Sequence, residues 1–558
     1  MIVLLLYFIF LIGVTVPCGL LIQKIMRIQA LSLLDLFWLG IALITIMAGV
    51  WCLFLPLDFK FVIVLISSVI LTIWVCQDMI KLQCSSAKQF ISTITTKNLV
   101  WVVICTVLVL AAGTLSGYVL DNDSYYLQTI QWLDTHGLVP GIANWHLFLA
   151  QQSGFHILES AVNLEFLDLE FNDLGLFITL VMILWSILPS SIGESVFQKA
   201  YRNLLAITFP LLLLLGTAPS PDVPVILLSY YVIYKFLFGA SEWTNVFMMS
   251  VLTAMACYFK ITSVLLGIFP LLMIFRLKED RWRSTLHFCG LGLLFGGLFM
   301  AKNIVASGYP LFPLTSVSLD VDWLVPEEMI RFYTDATVAQ AYGISFTELN
   351  QVDGWQRFLL WIQQAGMEGL MNKGILLVVI ASICGAFFYR HKPKIVTVLL
   401  VFVSFALIMA LSSPQARFFL PFLIPATMVL LLSTLSMARN YSLGIARFAV
   451  ISGVSILLLP SIIRLSTDNE RMKNVPEFEL GNLLFPSQRS RYSDAFAKAN
   501  INNIQYNDPT GDDFFYGTYD VPLPAAQKEY LDYFKTYYQV SPEYRGDTPA
   551  EGFRAVKN

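Results

Sequence analysis

VLDNDSYYLQTIQWLDTHGLVPGIANWHLFLAQQSGFHILESAVNLEFLDLEF, residues 119–171, lies between two apolar runs and holds no Lys or Arg. It carries Asp121, Asp123, Asp134, Glu159, Glu165, Asp168 and Glu170, with three of the chain's five histidines, His136, His146 and His156. An acidic polar loop between runs this apolar decides the fold. The runs need a bilayer, and the carboxylates must then lie at its surface.

The rest of the chain agrees. Of 558 residues, 57% are hydrophobic and only 13% charged, with 42 Phe and a mean hydropathy of +0.69. A soluble domain averages roughly 25% charged residues. The composition therefore implies an all-α polytopic membrane protein. No basic stripe is present, so no nucleic acid is expected as a partner. The first apolar run, 2–21, has no basic n-region and no small-residue cleavage site, and reads as a retained span. Cys18, Cys52, Cys76, Cys84, Cys105, Cys257, Cys289 and Cys384 show no CxxC pattern and lie in apolar runs or basic loops, which argues against a disulfide framework.

A helix crossing the hydrocarbon core needs about 20 mostly apolar residues, fewer inside a bundle. About fourteen runs qualify on that footing: 2–21, 36–55, 61–76, 99–118, 174–188, 204–215, 223–238, 246–258, 261–275, 286–304, 375–388, 395–411, 418–435 and 449–463. Basic residues cluster after the odd-numbered runs: Lys24 and Arg27; Lys81, Lys88 and Lys97; Lys199 and Arg202; Arg276, Lys278, Arg281 and Arg283; Arg390, Lys392 and Lys394; Arg439 and Arg447. By the positive-inside rule these loops are cytoplasmic, and the N-terminus and the acidic loop face outward. Three polar blocks then share the outer face: the acidic loop, residues 306–372 and the tail 464–558. Within the second, GWQRFLLWIQQAG (354–366) has the amphipathic, aromatic pattern of a helix in the membrane interface. The tail, rich in Tyr and broken by Pro and Gly, reads as a small irregular extracytoplasmic domain.

Charges gather at the outer ends of the runs. Asp121 and Asp123 follow the fourth, Asp222 in APSPDVP enters the seventh, Lys260 separates the eighth and ninth, Lys302 is near the end of the tenth, and Arg417 in SSPQARFF enters the thirteenth. Such charges either end helices or face a polar site. As a site, a carboxylate can take a proton from an attacking hydroxyl, and cations can hold a leaving phosphate. No Walker A, GxGxxG or GxSxG motif is present. Nucleotide sugars are cytoplasmic, so an outward-facing glycosyl transfer calls for a donor carried on lipid. A polyprenyl-phosphate sugar offers an apolar tail, a phosphate and a sugar to match the bundle, the cations and the acidic loop.

At these residues the chain resembles the GT-C superfamily of lipid-phosphate-sugar glycosyltransferases, within it a group of bacterial integral membrane proteins. DNDSYYLQTIQW, GLVPGIANWH, KNIVASGYPLFP, SPQARFFLP and YRGDTPAEGFR carry the resemblance in that order. It implies a GT-C-like bundle: three additional helices in 1–98, a seven-helix core in 99–305 that includes the loop 119–171, an outer loop with an interfacial helix in 306–372, C-terminal helices in 373–463 and an outward tail in 464–558. It further implies Asp121 as the loop Asp, followed by Tyr125, with Asp222 as the second acidic position and Arg417 as a recurrent Arg. Together with the charges and loop residues above, the catalytic candidates are Asp121 as general base, Asp123 and Asp222, and the substrate-binding candidates are Tyr125, His146, Glu159, Lys260, Lys302 and Arg417. Tyr126 stands where a His is common, Phe148 where an Arg is usual and Lys302 where Arg is usual, which keeps the charge but not the bidentate fork. The acceptor would be a glycan, a lipid or a protein.

The loop histidines with Asp121, Asp123 and Glu159 have the donor atoms for a divalent cation, yet their ten-residue spacing fits no compact ligand motif, and no metal is assigned. Two rivals remain. A lipid-linked glycan flippase or transporter calls for inverted repeats and midplane polar residues. A glycan polymerase or ligase rests on Arg and His in a late outer loop, where this chain has only Arg331, Arg357 and Lys373. The sequon Asn122-Asp123-Ser124 inside the acidic loop favours a bacterial cytoplasmic membrane over the endoplasmic reticulum, where glycosylation would block the site.

Overall fold

The computed structural model describes residues 1–28, 31–167, 169, 171–189, 193–458, 461, 478–510 and 515–557. Asp168 and Glu170 of the acidic loop, the end of the fourteenth apolar run and the start of the tail at 464 lie outside these residues. Of the described residues 70% are helical and 4% are in strands.

Among the described residues seven helices are long and apolar enough to cross a membrane: Ile2–Ile25, Leu33–Trp51, Val196–Gly216, Arg281–Ser307, Gly366–Phe388, Pro393–Ser412 and Ala416–Thr434. Phe59–Val75 and Gln77–Thr93 form a pair bent by 88° that counts as one more if it is a single broken span. Thr96–Ala112, Leu174–Ile187, Trp243–Phe259, Ile261–Arg276 and Ser442–Ile456 are shorter apolar helices. Each of the fourteen apolar runs thus contains a helix, while half of them fall short of a full span by length or polarity. Asp222–Phe238 shows why. It starts and ends on charge, at Asp222 and Lys235, yet it is the central helix of the bundle, packed on Ala416–Thr434, Trp243–Phe259, Leu174–Ile187 and Ile268–Arg276. Large apolar side chains such as Leu293, Phe387, Leu407 and Leu411 stay exposed on the outside, as lipid-facing residues would.

The first two helices approach backbone to backbone. A Cβ at Gly19 would come 1.9 Å from the Leu36 carbonyl oxygen, and one at Gly40 would come 1.8 Å from that of Thr15. Small residues at such crossings are how helices associate where water supplies no drive between them.

The polar segments meet at one end of the bundle. Asn144 Nδ2 donates to the Trp323 carbonyl at 2.9 Å, the Phe553 amide to Pro140 at 2.9 Å, and Arg545 pairs with Asp322 at 2.9 Å, so acidic loop, second polar block and tail are packed on one another. Basic loops meet at the other end: Lys235 pairs with Asp35 at 2.8 Å, Lys394 donates to the Leu237 carbonyl at 3.1 Å, and Arg283 to that of Met26 at 3.4 Å. The amphipathic stretch forms the helix Gly354–Gln363, capped by Asp353 through Gln356, with Trp355 exposed and Trp361 tucked in to donate to the Pro414 carbonyl at 2.8 Å.

The tail is more regular than its sequence suggests. Strands β1 (Phe496–Ile501) and β2 (Ile504–Pro509) form one antiparallel hairpin, and β3 (Val540–Tyr544) and β4 (Phe553–Lys557) a second, with helix Lys528–Tyr537 between them. Its core is shared with the acidic loop. Trp145 stacks on Phe553 at 5.5 Å and meets Tyr506 edge-on at 5.4 Å, while its indole N–H donates to the Ala525 carbonyl. Gly141, at φ +64, allows the close approach, since a Cβ there would fall 2.1 Å from the Phe553 carbonyl oxygen.

Candidate functional site

The helix Thr96–Ala112 ends before the acidic loop, and the chain re-enters a helix through a π-helical turn, Asn122–Tyr126, with Asp121 at its start. Such wide turns recur at functional sites because they turn adjacent side chains in unlike directions. Here the turn separates Asp121, which meets Arg417, from Asn122 and Asp123, which meet tail residues 489–491 and are bonded to each other at 3.3 Å.

Asp121 faces the bundle. Its Oδ2 accepts from Arg417 Nη1 at 2.6 Å and from the Tyr126 hydroxyl at 3.3 Å, and the side chains of Asp121 and Arg417 are 21% and 34% exposed. Arg417 stands in the first turn of Ala416–Thr434. A second ion pair lies beside the first: Lys260, where the chain breaks between Trp243–Phe259 and Ile261–Gly267, bonds Asp222, the first residue of the central helix. Phe418 joins the two pairs, its ring 4.0 Å from Lys260 Nζ and 5.2 Å from the Arg417 guanidinium carbon. Asp222 is within electrostatic range of Arg417, and Asp121 within that of Lys260. The result is a neutral, alternating cluster of two carboxylates and two cations at the junction of bundle and polar cap.

Aromatic residues wall the cluster. Tyr125 stacks on Phe148 at 5.6 Å and donates to Gln151 at 3.3 Å, and Phe148 meets Tyr333 and Tyr516 edge-on at 5.4 and 4.9 Å. Tyr125, Tyr126, Tyr333 and Tyr516 all feel the charge of Asp121; burial first of all, with that charge adding to it, raises each phenol, so they act as hydrogen donors. The GT-C resemblance singles out Tyr125, and nothing in the sequence marks Tyr333 or Phe418, which arrive from distant segments. Tyr516 stands out only as one of many tail tyrosines.

The other candidates lie apart. Asp123 and Arg491 form an ion pair at 3.1 Å with both side chains 0% exposed, and Asp123 also accepts from the Ser490 hydroxyl at 2.8 Å. Burial pushes its carboxyl up while Arg491 and Ser490 pull it down. Its backbone carbonyl accepts from Thr518 and Tyr519, so the residue rivets the tail to the loop. Glu159 accepts from the Leu174 amide at 2.9 Å and tethers the start of Leu174–Ile187; burial raises its carboxyl well above the usual range. His146 is buried flat against Tyr530 at 4.3 Å, and burial lowers it to about 3. Lys302 is 4% exposed, donates to Asn303 at 2.7 Å and lies near Cys52 and His156; no carboxylate among the described residues pairs with it. Cations expected as one set are thus divided, with Lys260 and Arg417 together and Lys302 beyond His156, whose ring is 4.8 Å from that of Tyr126. No group of three or more His, Cys, Asp or Glu suited to a metal occurs among the described residues.

A family model described as "Domain of unknown function (DUF8201)" matches residues 1–424. The chain belongs to the DUF8201 family. The matched span includes Asp121, Asp222, Lys260, Lys302 and Arg417, and stops short of Arg491 and the tail. No curated protein and no solved structure matches this DUF8201 chain.

Proposed function

We propose that the chain is a membrane glycosyltransferase of GT-C type that moves a sugar from a polyprenyl-phosphate donor to an acceptor hydroxyl at the outer face of a bacterial cytoplasmic membrane. Its fourteen apolar runs would act as spans, several of them short and held inside the bundle, with the polar cap and tail outward. The distribution of basic loops supports this orientation, as does the gathering of polar segments at one end and basic residues at the other. One observation carries the chemistry: the Asp121–Arg417 pair beside the Asp222–Lys260 pair.

In this reading the donor phosphate takes the place of Asp121 opposite Arg417 and also contacts Lys260, and Asp121 is released toward the acceptor. Asp121 removes the proton of the acceptor hydroxyl as the acceptor oxygen bonds to the anomeric carbon. The bond from that carbon to the phosphate oxygen breaks, and the polyprenyl phosphate leaves with its charge held by the two cations. Asp222 keeps Lys260 in place, and Tyr125, Tyr126 and Tyr333 offer hydroxyls and ring faces to the sugar. Lys302 supplies a further cation behind this shell. The acceptor is a glycan, lipid or protein hydroxyl. The test is transfer from a polyprenyl-phosphate sugar by protein in nanodiscs, read against the same lipid's movement between leaflets. Transfer supports the proposal, whereas lipid movement without transfer favours a flippase.

A further inference from the structure

The residue between Asp121 and Asp123 lies on the tail side of the turn, where its amide donates to Asp123 Oδ1 at 3.3 Å. Asn122 lines a cavity of about 390 Å³, roofed by tail residues 485–494 and floored by the ends of Thr96–Ala112 and Leu174–Ile187. That size lies within the range of about 300–1,000 Å³ usual for ligand sites. The roof is bonded down: Ser487 donates its amide to the Thr114 carbonyl at 3.0 Å, Ser116 its hydroxyl to the Gln488 carbonyl at 2.5 Å, and Asn122 its side-chain amide to the Arg489 carbonyl at 3.1 Å.

The lining is chemically mixed. Asn172 contributes a buried side-chain amide whose oxygen and nitrogen both lack a hydrogen-bond partner. A buried polar group left unpaired costs about 1–3 kcal/mol, so an amide with both ends open is placed for a ligand that donates and accepts at once. Asp173 and Asp494 add carboxylates, and Asp520 holds Arg489 in a two-point bond at 3.1 and 2.6 Å. Among the described residues Arg489 is the only Lys or Arg in the lining and is thus already matched; burial raises Asp173 to about 7, and Asp494 leaves the surplus charge negative, which opposes a phosphate. Tyr492, stacked on Tyr519 at 4.5 Å, and Phe171, stacked on Tyr7 at 4.3 Å, bring fixed rings to the lining. Aromatic faces, hydrogen-bonding groups of both kinds and no available cation suit a neutral, hydroxyl-rich molecule.

We propose that this cavity binds a neutral carbohydrate, at a site separate from the Asp121–Arg417 cluster but reached by the same turn. Binding itself stands on the cavity alone. Its role as the acceptor's resting place rests on the glycosyltransferase reading, and follows from Asn122 and Asp121 being consecutive residues that face the two sites.

The experiment uses the full chain in nanodiscs, free of maltoside detergent and without lipid-linked donor. Maltose, cellobiose, chitobiose and α-mannobiose are titrated and binding is read by native mass spectrometry and calorimetry. At least one disaccharide should bind, and Asn172→Leu should weaken it about tenfold, the effect of losing a hydrogen-bonded pair. Gln488→Ala, at the exposed rim, serves if Asn172→Leu does not fold, and should also weaken binding. Absence of binding for all four sugars, or binding unchanged by both variants, overturns the assignment. Preference for glucose 6-phosphate over glucose overturns it too, because it contradicts the charge argument. Disaccharide binding that responds to Asn172→Leu, in protein that transfers no sugar from any polyprenyl-phosphate donor, upholds the cavity and overturns the glycosyltransferase reading instead.

Discussion

Arg417 donates to the Asp121 carboxylate at 2.6 Å although the two residues are 296 positions apart. A few residues away, Lys260 and Asp222 repeat the arrangement, and Phe418 packs against both cations. Ion pairs that are only partly covered, as this first one is, stay exchangeable in a way that fully desolvated pairs do not. The proposed reaction uses that property, because the phosphate must replace Asp121 opposite Arg417 so that the freed carboxylate can take a proton.

Arg417→Ala is expected to weaken binding of a polyprenyl-phosphate sugar by about tenfold to a hundredfold, the loss of one charge-assisted hydrogen bond of roughly 1.5–3 kcal/mol. Lys260→Ala should act similarly. Donor affinity measured by fluorescence of a labelled lipid checks this, and unchanged affinity in both variants would reduce the cations to helix-end charges.

Asp123 should matter for folding rather than for transfer. Its pair with Arg491 is fully buried, and removing one partner of such a pair costs about 3–5 kcal/mol. Arg491→Leu is therefore expected to lower the melting temperature and expose the tail to proteolysis within residues 478–557. A variant as stable as the wild type, with the tail still protected, would contradict the rivet.

His146 gives a pH dependence with a defined sign. Its folded value is about 3 because of burial, against about 6.5 for an ordinary His. Its contribution to stability is present above pH 6.5 and lost as pH falls toward 3, at up to about 1.4 kcal/mol per pH unit. Asp134 and Glu159, raised by burial, work the opposite way, favouring the fold at low pH and less as pH rises. The comparison is thus wild type against His146→Phe, in which the carboxylates cancel. Melting between pH 6.5 and 4.5 should fall less steeply in the variant; parallel curves would rule out a buried neutral imidazole.

Topology is tested by accessibility. In a background without the native cysteines, a thiol at Gln488 should react with an impermeant reagent from outside and one at Lys392 only from the cytoplasm. Labelling of both from one side would contradict the assignment of faces.

How much of this is legible in the sequence depends on distance along the chain. Asp121, Asp222, Lys260 and Arg417 are visible because charge beside apolar runs is rare and expensive. Their pairing is not visible: which cation joins Arg417 is decided by helix packing, and it is Lys260 rather than Lys302. The role of Asp123 is hidden for the same reason, since Arg491 lies 368 residues away and nothing local marks it. The tail hairpins escape notice because strands of five or six residues, interrupted by Pro and of mixed burial, carry no clear alternation. Helix positions are readable, but their standing as spans is not. A buried helix such as Asp222–Phe238 tolerates charges that a lipid-facing one would not.

The central claim is that Asp121 removes the acceptor proton, and Asp121→Asn tests it most directly because the amide keeps the size and removes the base. Transfer from a polyprenyl-phosphate sugar is measured in nanodiscs, with donor binding measured on the same preparation. Turnover should fall by about a hundredfold to ten-thousandfold, the usual weight of a general base, while donor binding persists through Arg417 and Lys260. Wild-type turnover in Asp121→Asn would contradict the account.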